Sequence, residues 1–251
     1  MAHRLLVVTA HPDDEAGGFG GALLKYRERG VETYVLCLTE GRAATHRGTA
    51  GTGADSGDAL AKLRRAEFAA SCEILKVSHA EVLSYPDGGL PTADFMTIVG
   101  DLVQRIRQIR PHVVVTFGTE GSVTTHPDHS MASLFTTAAF QWAGRSNRFP
   151  YQLGSLAPWR AHKLYYSTAS FTLPGREPVA LAPATAIIDI RPYFEQKVAA
   201  FHAHTSQSPL FEKFDYMMKQ RRDEEPYHLA SLITPGVIEL ETDLFTAIPD
   251  E

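Results

Sequence analysis

Apolar runs at residues 5–10, 33–38, 80–85 and 113–117 alternate with longer segments of helical spacing at 15–29, 58–75, 94–110 and 129–143. Strand and helix in regular alternation build βαβ units, whose strands pair in parallel. Strands covered on both faces lose their in–out alternation and read as continuous apolar stretches, as Val113-Val114-Val115 does. Pro111 breaks the preceding helix before that strand begins. The expected fold is α/β: a doubly wound, mostly parallel sheet with helices on both faces. One domain is expected over residues 1–251, with an irregular C-terminal third. In that third, 164–167 and 186–190 read as strands, and 191–203 as a helix with Pro192 in its first turn. Residues 211–222 read as a short helix and 237–240 as a terminal strand.

A chain of 251 residues can bury one sizeable core. Its 44% apolar and 21% charged content suits a globular protein, and a net charge of −5 gives no support to a nucleic-acid partner. No apolar run approaches the ~20 residues that cross a bilayer, so no membrane partner is expected. The first strand starts without a charged leader before it, and a cytoplasmic location is the default expectation. Cys37 and Cys72 lack paired ligand spacing and fall in apolar runs, which makes them small core residues. Any metal must therefore be held by imidazole and carboxylate.

Those donors occur in two clusters. His11-Pro12-Asp13-Asp14-Glu15 follows the first strand, and His126-Pro127-Asp128-His129 follows the run at 113–117. In open α/β sheets, ligands bind at the carboxyl ends of strands. Two imidazoles and one carboxylate leave open positions on a divalent ion, the pattern of catalytic zinc and of some non-haem iron sites. His11 and Asp14, three apart across a strand-to-helix turn, can converge, and His129 supplies a third ligand. Zn2+ is the expected ion and Fe2+ the alternative. Such an ion lowers the pKa of its water from 15.7 to about 7, so Asp13 beside it can act as general base, taking a proton from that water to leave a metal-bound hydroxide. His126, on the other side of the ion, can stabilise an oxyanion or protonate a leaving amine. Acidic residues at 13–15 also suit a helix N-terminus electrostatically, an account as good as any for Glu15 but silent about His11.

Gly17, Gly18, Gly20 and Gly21 do not form a dinucleotide fingerprint, because the strand is followed first by His11 and three carboxylates that repel a pyrophosphate. Close packing of helix on sheet explains them better. Residues 48–57, rich in glycine, read as a solvated loop or as a mobile lid beside the site.

The chain resembles the PIG-L/LmbE-like family of zinc-dependent deacetylases that act on N-acetylglucosamine conjugates. The resemblance runs through Ala10-His11-Pro12-Asp13-Asp14-Glu15, Leu38-Thr39-Glu40-Gly41, Arg64-Arg65-Ala66-Glu67 and Tyr85-Pro86-Asp87-Gly88-Gly89-Leu90. It continues through Arg110-Pro111, His126-Pro127-Asp128-His129, Lys163-Leu164-Tyr165-Tyr166 and Ala203-His204-Thr205-Ser206-Gln207. It implies a Rossmann-like fold, zinc on His11, Asp14 and His129, Asp13 as base, and His126 as acid or oxyanion stabiliser with Asp128 orienting it. It further implies that Arg64, Asp87 and His204 bind the sugar. Each of these three has a plainer reading: Arg64 pairs with Glu67 on a helix face, Asp87-Gly88 makes a turn, and His204 caps a helix C-terminus. One departure stands out. Deacetylases of the mycothiol pathway carry a tyrosine two residues before the first histidine of the second motif, where this chain has Thr124. A threonine cannot reach as far as a phenol. Tyr165 and Tyr166 lie in a strand and are expected to pack in the core.

The expected function is removal of an acetyl or small acyl group from an amine on a small sugar-type molecule. Two rivals remain open on the residues: a nucleotide- or sugar-binding module with structural His/Asp clusters, and a metal-dependent esterase or phosphoesterase. No second carboxylate-rich ligand set is evident from spacing, which disfavours a two-metal phosphate site. Homo-oligomer formation is open.

Overall fold

A computed structural model describes residues 2–51, 55–173, 175, 178–221, 223–237 and 239–249. The chain runs through β1 (Arg4–Thr9), α1 (Asp14–Glu28), β2 (Glu32–Thr39), α2 (Ser56–Ile74), β3 (His79–Tyr85), α3 (Phe95–Ile109) and β4 (Val113–Phe117). It continues through α4 (Pro127–Ala143), β5 (Lys163–Ser167), β6 (Ala186–Asp189), α5 (Phe194–His202), α6 (Phe211–Arg221) and β7 (Glu224–Leu232). The strands form one sheet in the order β3-β2-β1-β4-β5-β7-β6. The first five of that order pair in parallel, while β7 runs antiparallel to both β5 and β6. This is the α/β, mostly parallel architecture that the alternating pattern predicts.

The order contains one reversal. After β1 the chain moves outward through β2 and β3, and after β4 it moves the other way to β5. Neighbouring connections diverge there, opening a crevice at the carboxyl ends of β1 and β4. Beneath it, Leu5, Leu6, Val7, Val113, Val114 and Val115 are essentially inaccessible, as continuous apolar strands must be when covered on both faces. Cys37 and Cys72 are free and buried in this core. Tyr165 is fully buried, whereas Tyr166 packs beside the core with its hydroxyl 2.7 Å from that of Thr137.

The C-terminal third departs from expectation. Residues 237–240 make no strand among the described residues, and residue 238 lies outside them; Val237 and Leu240 are exposed. β5 is instead flanked by β7, and Glu241 forms an isolated bridge to Ala186 on β6. β7 escapes the sequence pattern because it opens Glu224-Glu225-Pro226, a poor strand signature. Its Glu225 is buried against Lys197 Nζ at 2.5 Å and accepts from the N–H groups of Gly21 and Ala22 at 2.8 Å each. That buried ion pair ties β7, α5 and α1 together.

The glycines of α1 divide by position. A Cβ at Gly21 would meet Ile190 Cγ2 at 2.5 Å, and one at Gly20 would meet Lys197 Cγ at 3.1 Å. Gly17 and Gly18 face the crevice instead. In the 48–57 segment, Gly48–Ala50 form a 3-10 turn and α2 starts at Ser56. The lid reading falls partly on 52–54, which lie outside the described residues.

Candidate active site

The turn after β1 is held by its own acids. Asp14 Oδ2 accepts from the backbone N–H groups of His11 at 2.8 Å and Ala10 at 3.2 Å, so the carboxylate that opens α1 also folds the strand end toward it. Asp13 adopts φ 124°, ψ −26°, a conformation that costs a non-glycine residue about 1–3 kcal/mol. Its N–H donates to Glu15 Oε2 at 2.9 Å. Glu15 is fully buried and accepts from Ser71 Oγ at 2.6 Å, with His204 Nε2 2.7 Å away. Glu15 therefore does more than complement the helix dipole: it anchors the strained turn from behind.

The second cluster arrives on a loop of similar tension. Gly121, Ser122 and Thr125 all have positive φ, and the loop delivers His126 as the N-cap of α4, its Nδ1 accepting from the Asp128 N–H at 3.2 Å. One turn on, His129 stacks on Phe117 with ring centroids 4.1 Å apart. His129 Nε2 lies 3.1 Å from Asp14 Oδ1, and His11 Nδ1 lies 3.6 Å from Asp14 Oδ2. His11, His126 and His129 each bring a ring nitrogen within 4.8 Å of the other two. Two loops more than a hundred residues apart thus converge on one point. Buried imidazoles around a carboxylate are a donor set that fits a divalent ion of the zinc or ferrous type.

Asp128 behaves differently from the sequence expectation. Its fully buried carboxylate does not orient the His126 ring. It faces His11 Nε2 at 3.2 Å and accepts from the N–H groups of Gly88 at 2.7 Å and Leu90 at 3.3 Å. Asp87 joins it: Oδ1 is 3.2 Å from His11 Nε2, and Oδ2 accepts from Ala43 N–H at 2.7 Å. The pair forms a second His/carboxylate group with His11 that spacing did not reveal. Both carboxylates are already occupied by backbone donors, so they read as outer partners that fix the imidazole.

Arg64 and His204 are also placed differently. Arg64 does not pair with Glu67; Glu67 accepts instead from Thr205 Oγ1 and from Ser206 N–H and Oγ. Arg64 Nη2 donates to Asp13 Oδ2 at 2.9 Å and also contacts Pro12 O, leaving a 3% exposed guanidinium. His204 is fully buried behind Glu15 and does not line the crevice. His204 is thus spent on Glu15 away from the crevice, whereas Arg64 lines the crevice with its guanidinium held by Asp13, Pro12 and Gly41. Thr124 lines the crevice with Oγ1 3.5 Å from His129 Nδ1.

Electrostatics follow from this packing. Burial pushes the Asp13 carboxyl up to about 6, with Arg64 opposing and Asp14 adding to the rise. Burial works the same way on Asp14, but the His129 and His11 rings outweigh it and hold Asp14 well below the usual carboxylate range. His126 is lowered by burial and by the neighbouring His11 and His129.

All of this opens on a cavity of about 570 Å³. Its wall includes apolar side chains that the sequence did not single out, among them Phe201 and Phe214, Met217 and Met218. No sequence signal marks them: as isolated apolar residues on helices they are ordinary.

The chain is similar to known proteins over the segment that carries both clusters. The family model described as GlcNAc-PI de-N-acetylase matches residues 6–140, which span both histidine clusters. The 1D-myo-inositol 2-acetamido-2-deoxy-alpha-D-glucopyranoside deacetylase of Rhodococcus jostii is 31% identical over 81% of this chain and 81% of its own. Among solved structures, N,N'-diacetylchitobiose deacetylase from Pyrococcus horikoshii is similar at a TM-score of 0.75 and 25% identity, covering 93% of this chain and 87% of that one. A conserved protein of Thermus thermophilus is similar at a TM-score of 0.72 and 28% identity, covering 92% and 96%. With more than half its length matched and a relative 31% identical over 81% of it, the chain belongs to the GlcNAc-PI de-N-acetylase (PIG-L) family.

Proposed function

We propose that this protein is a zinc-dependent N-deacetylase that removes an acetyl or small acyl group from the amine of an N-acetylglucosamine-type sugar conjugate. The observation that carries the reading is the placement of Asp13. It lines the same cavity as His11, Asp14, His126 and His129, and its carboxylate is held by Arg64. The relatives' activities support it, because the Rhodococcus jostii relative and the Pyrococcus horikoshii structure are both named as deacetylases of acetamido or diacetyl sugars.

His11, Asp14 and His129 would hold the ion, Zn2+ first and Fe2+ as the alternative. Bound there, a divalent ion acidifies water and polarises a carbonyl oxygen. Asp13 takes the proton from the attacking water, and Arg64 keeps its carboxylate oriented for that transfer. The Asp128 carboxylate fixes His11 through Nε2, and Glu15 with His204 braces the turn that carries Asp13. His126, whose Nδ1 is taken by the Asp128 N–H, uses Nε2 to stabilise the developing oxyanion and to pass a proton to the departing nitrogen. Asp87 lines the cavity beside His11 and offers its outer surface to a sugar hydroxyl. In this assignment Arg64 and His204 act as positioning residues.

We further infer that residues 1–251 work as one domain, since a single apolar core extends from Leu5 to Ile248. No helix among the described residues is long and apolar enough to cross a membrane. A cytoplasmic setting and a small-molecule partner belong to the same proposal. The test is hydrolysis of N-acetylglucosamine conjugates by protein of measured metal content. Amine release that stops on chelation and returns with Zn2+ or Fe2+ is the expected result. Metal-free protein that binds a nucleotide and releases no amine would instead support the binding-module reading.

A further inference from the structure

The cavity has two chemically distinct sides. Toward β2 and α2 it is lined by Thr45, His46, Asp87 and Gly88, side chains and backbone able to meet hydroxyl groups, and by the Arg64 guanidinium that holds Asp13. Toward α5 and α6 it is lined by Phe171, Phe201, Leu210, Phe214, Met217 and Met218. Lys213, exposed, is the charged residue on that side. The apolar side adjoins the reacting groups directly. Phe201 and Phe214 stack at 3.6 Å between centroids, and a Cβ built at Gly17 would lie 3.7 Å from Phe201. Gly17 and Gly18 belong to the first turns of α1, immediately after Asp13 and Asp14. A Cβ at Gly18 would meet nothing within 4 Å. Gly17 thus packs directly on the Phe201/Phe214 wall, and the missing side chain at 18 leaves open space beside that wall on the helix that starts at the catalytic carboxylates.

An amide presents two substituents to such a site. The sugar on nitrogen carries hydroxyl groups that lose hydrogen bonds against an apolar wall, so it takes the polar side. The substituent on the carbonyl carbon is left facing Phe201, Phe214 and the two methionines. An acetyl group has one methyl to offer a wall of six apolar side chains. Methionine and phenylalanine suit a flexible chain, because thioether side chains adapt to irregular shapes.

The geometry points to an N-acyl substrate whose acyl group is longer than acetyl, an aliphatic chain of several carbons lying past Gly18 against the α5–α6 wall. This rests on the amide-hydrolase reading above and names its substrate class. The reaction is unchanged by chain length. Water's oxygen bonds to the acyl carbon, the C–N bond breaks and nitrogen takes a proton, so an amine and an alkanoic acid leave.

The test compares N-acetyl-, N-butanoyl-, N-hexanoyl- and N-octanoyl-glucosamine with the metal-loaded full chain. The expected result is a rise in kcat/KM with chain length, by about three- to fourfold per methylene while the wall is being covered. Hexanoyl should then exceed acetyl by at least about tenfold. Gly18→Leu fills the open space and should return the hexanoyl-to-acetyl ratio to near one, with Gly18→Ala intermediate. A thermal melt of each variant checks that the fold persists, as the space around Gly18 requires. Acetyl hydrolysed with a ratio at or below one in the native protein overturns the long-acyl inference and leaves the hydrolase reading standing. A high native ratio unmoved in folded Gly18→Leu overturns the assigned place of the acyl chain. No hydrolysis of any member overturns the hydrolase reading and this inference with it.

Discussion

Asp128 Oδ2 lies 3.2 Å from His11 Nε2, although the two residues come from opposite clusters and are 117 positions apart. The second histidine loop thus does more than contribute its own donors. Through Asp128 it sets the ring orientation of the first loop's imidazole, and the N–H groups of Gly88 and Leu90 hold Asp128 in turn. His126, two positions before Asp128, receives only the backbone N–H of that residue.

Replacing Asp128 by asparagine should therefore weaken metal retention. Loss of an outer carboxylate on a ligating histidine costs about 10–100-fold in affinity. Competition with a chelator of known affinity measures it. Unchanged retention together with a changed leaving-group dependence would return Asp128 to a role at His126.

Asp13→Asn should separate catalysis from metal binding. The amide keeps the Arg64 contact in part but cannot take a proton, so kcat should fall by about 10²–10⁴-fold. Metal content, measured by elemental spectrometry, should stay at the native level, and Asp14→Asn in contrast should lose metal.

The buried Lys197–Glu225 pair makes a stability prediction with a definite sign. Burial opposes Glu225 ionisation, but the Lys197 ammonium, the Tyr227 hydroxyl and the Ala22 N–H outweigh it and hold the carboxyl below its ordinary value. Unfolded, the group titrates near 4.3. Its contribution is then complete above about pH 4.3 and is lost as pH falls through the lower folded value. Glu225→Gln should destabilise by about 3–5 kcal/mol at neutral pH, because Lys197 is left buried without its counter-charge. The variant should also lose part of the native acid dependence in melts run from pH 7 downward.

Two glycines on one helix should respond oppositely to alanine. Helix propensity favours both changes by up to about 1 kcal/mol. Gly18→Ala meets open space and should gain that stability. At Gly21 the new methyl would come 2.5 Å from Ile190 Cγ2, and overpacking of this kind costs about 1–3 kcal/mol. Urea denaturation of the two variants reads the sign directly.

The sequence alone determined the layered fold and the metal-type donors. Buried parallel strands must be apolar along their whole length, so Val113-Val114-Val115 and its counterparts announce themselves. Metal chemistry demands few residue types, so His11, Asp14 and His129 stand out at strand ends. Even the resemblance rests on short contiguous motifs of this kind. Partnerships across the chain were decided only by the tertiary structure. Arg64 sits three residues from Glu67 yet reaches Asp13, His204 braces Glu15 from the far half, and Asp128 turns to His11. β7 was hidden because its opening glutamates look like surface until Lys197 is seen beneath them. Hydrogen bonds and ion pairs act over a few ångströms in space, and linear spacing carries no record of which buried donor a distant acceptor will meet.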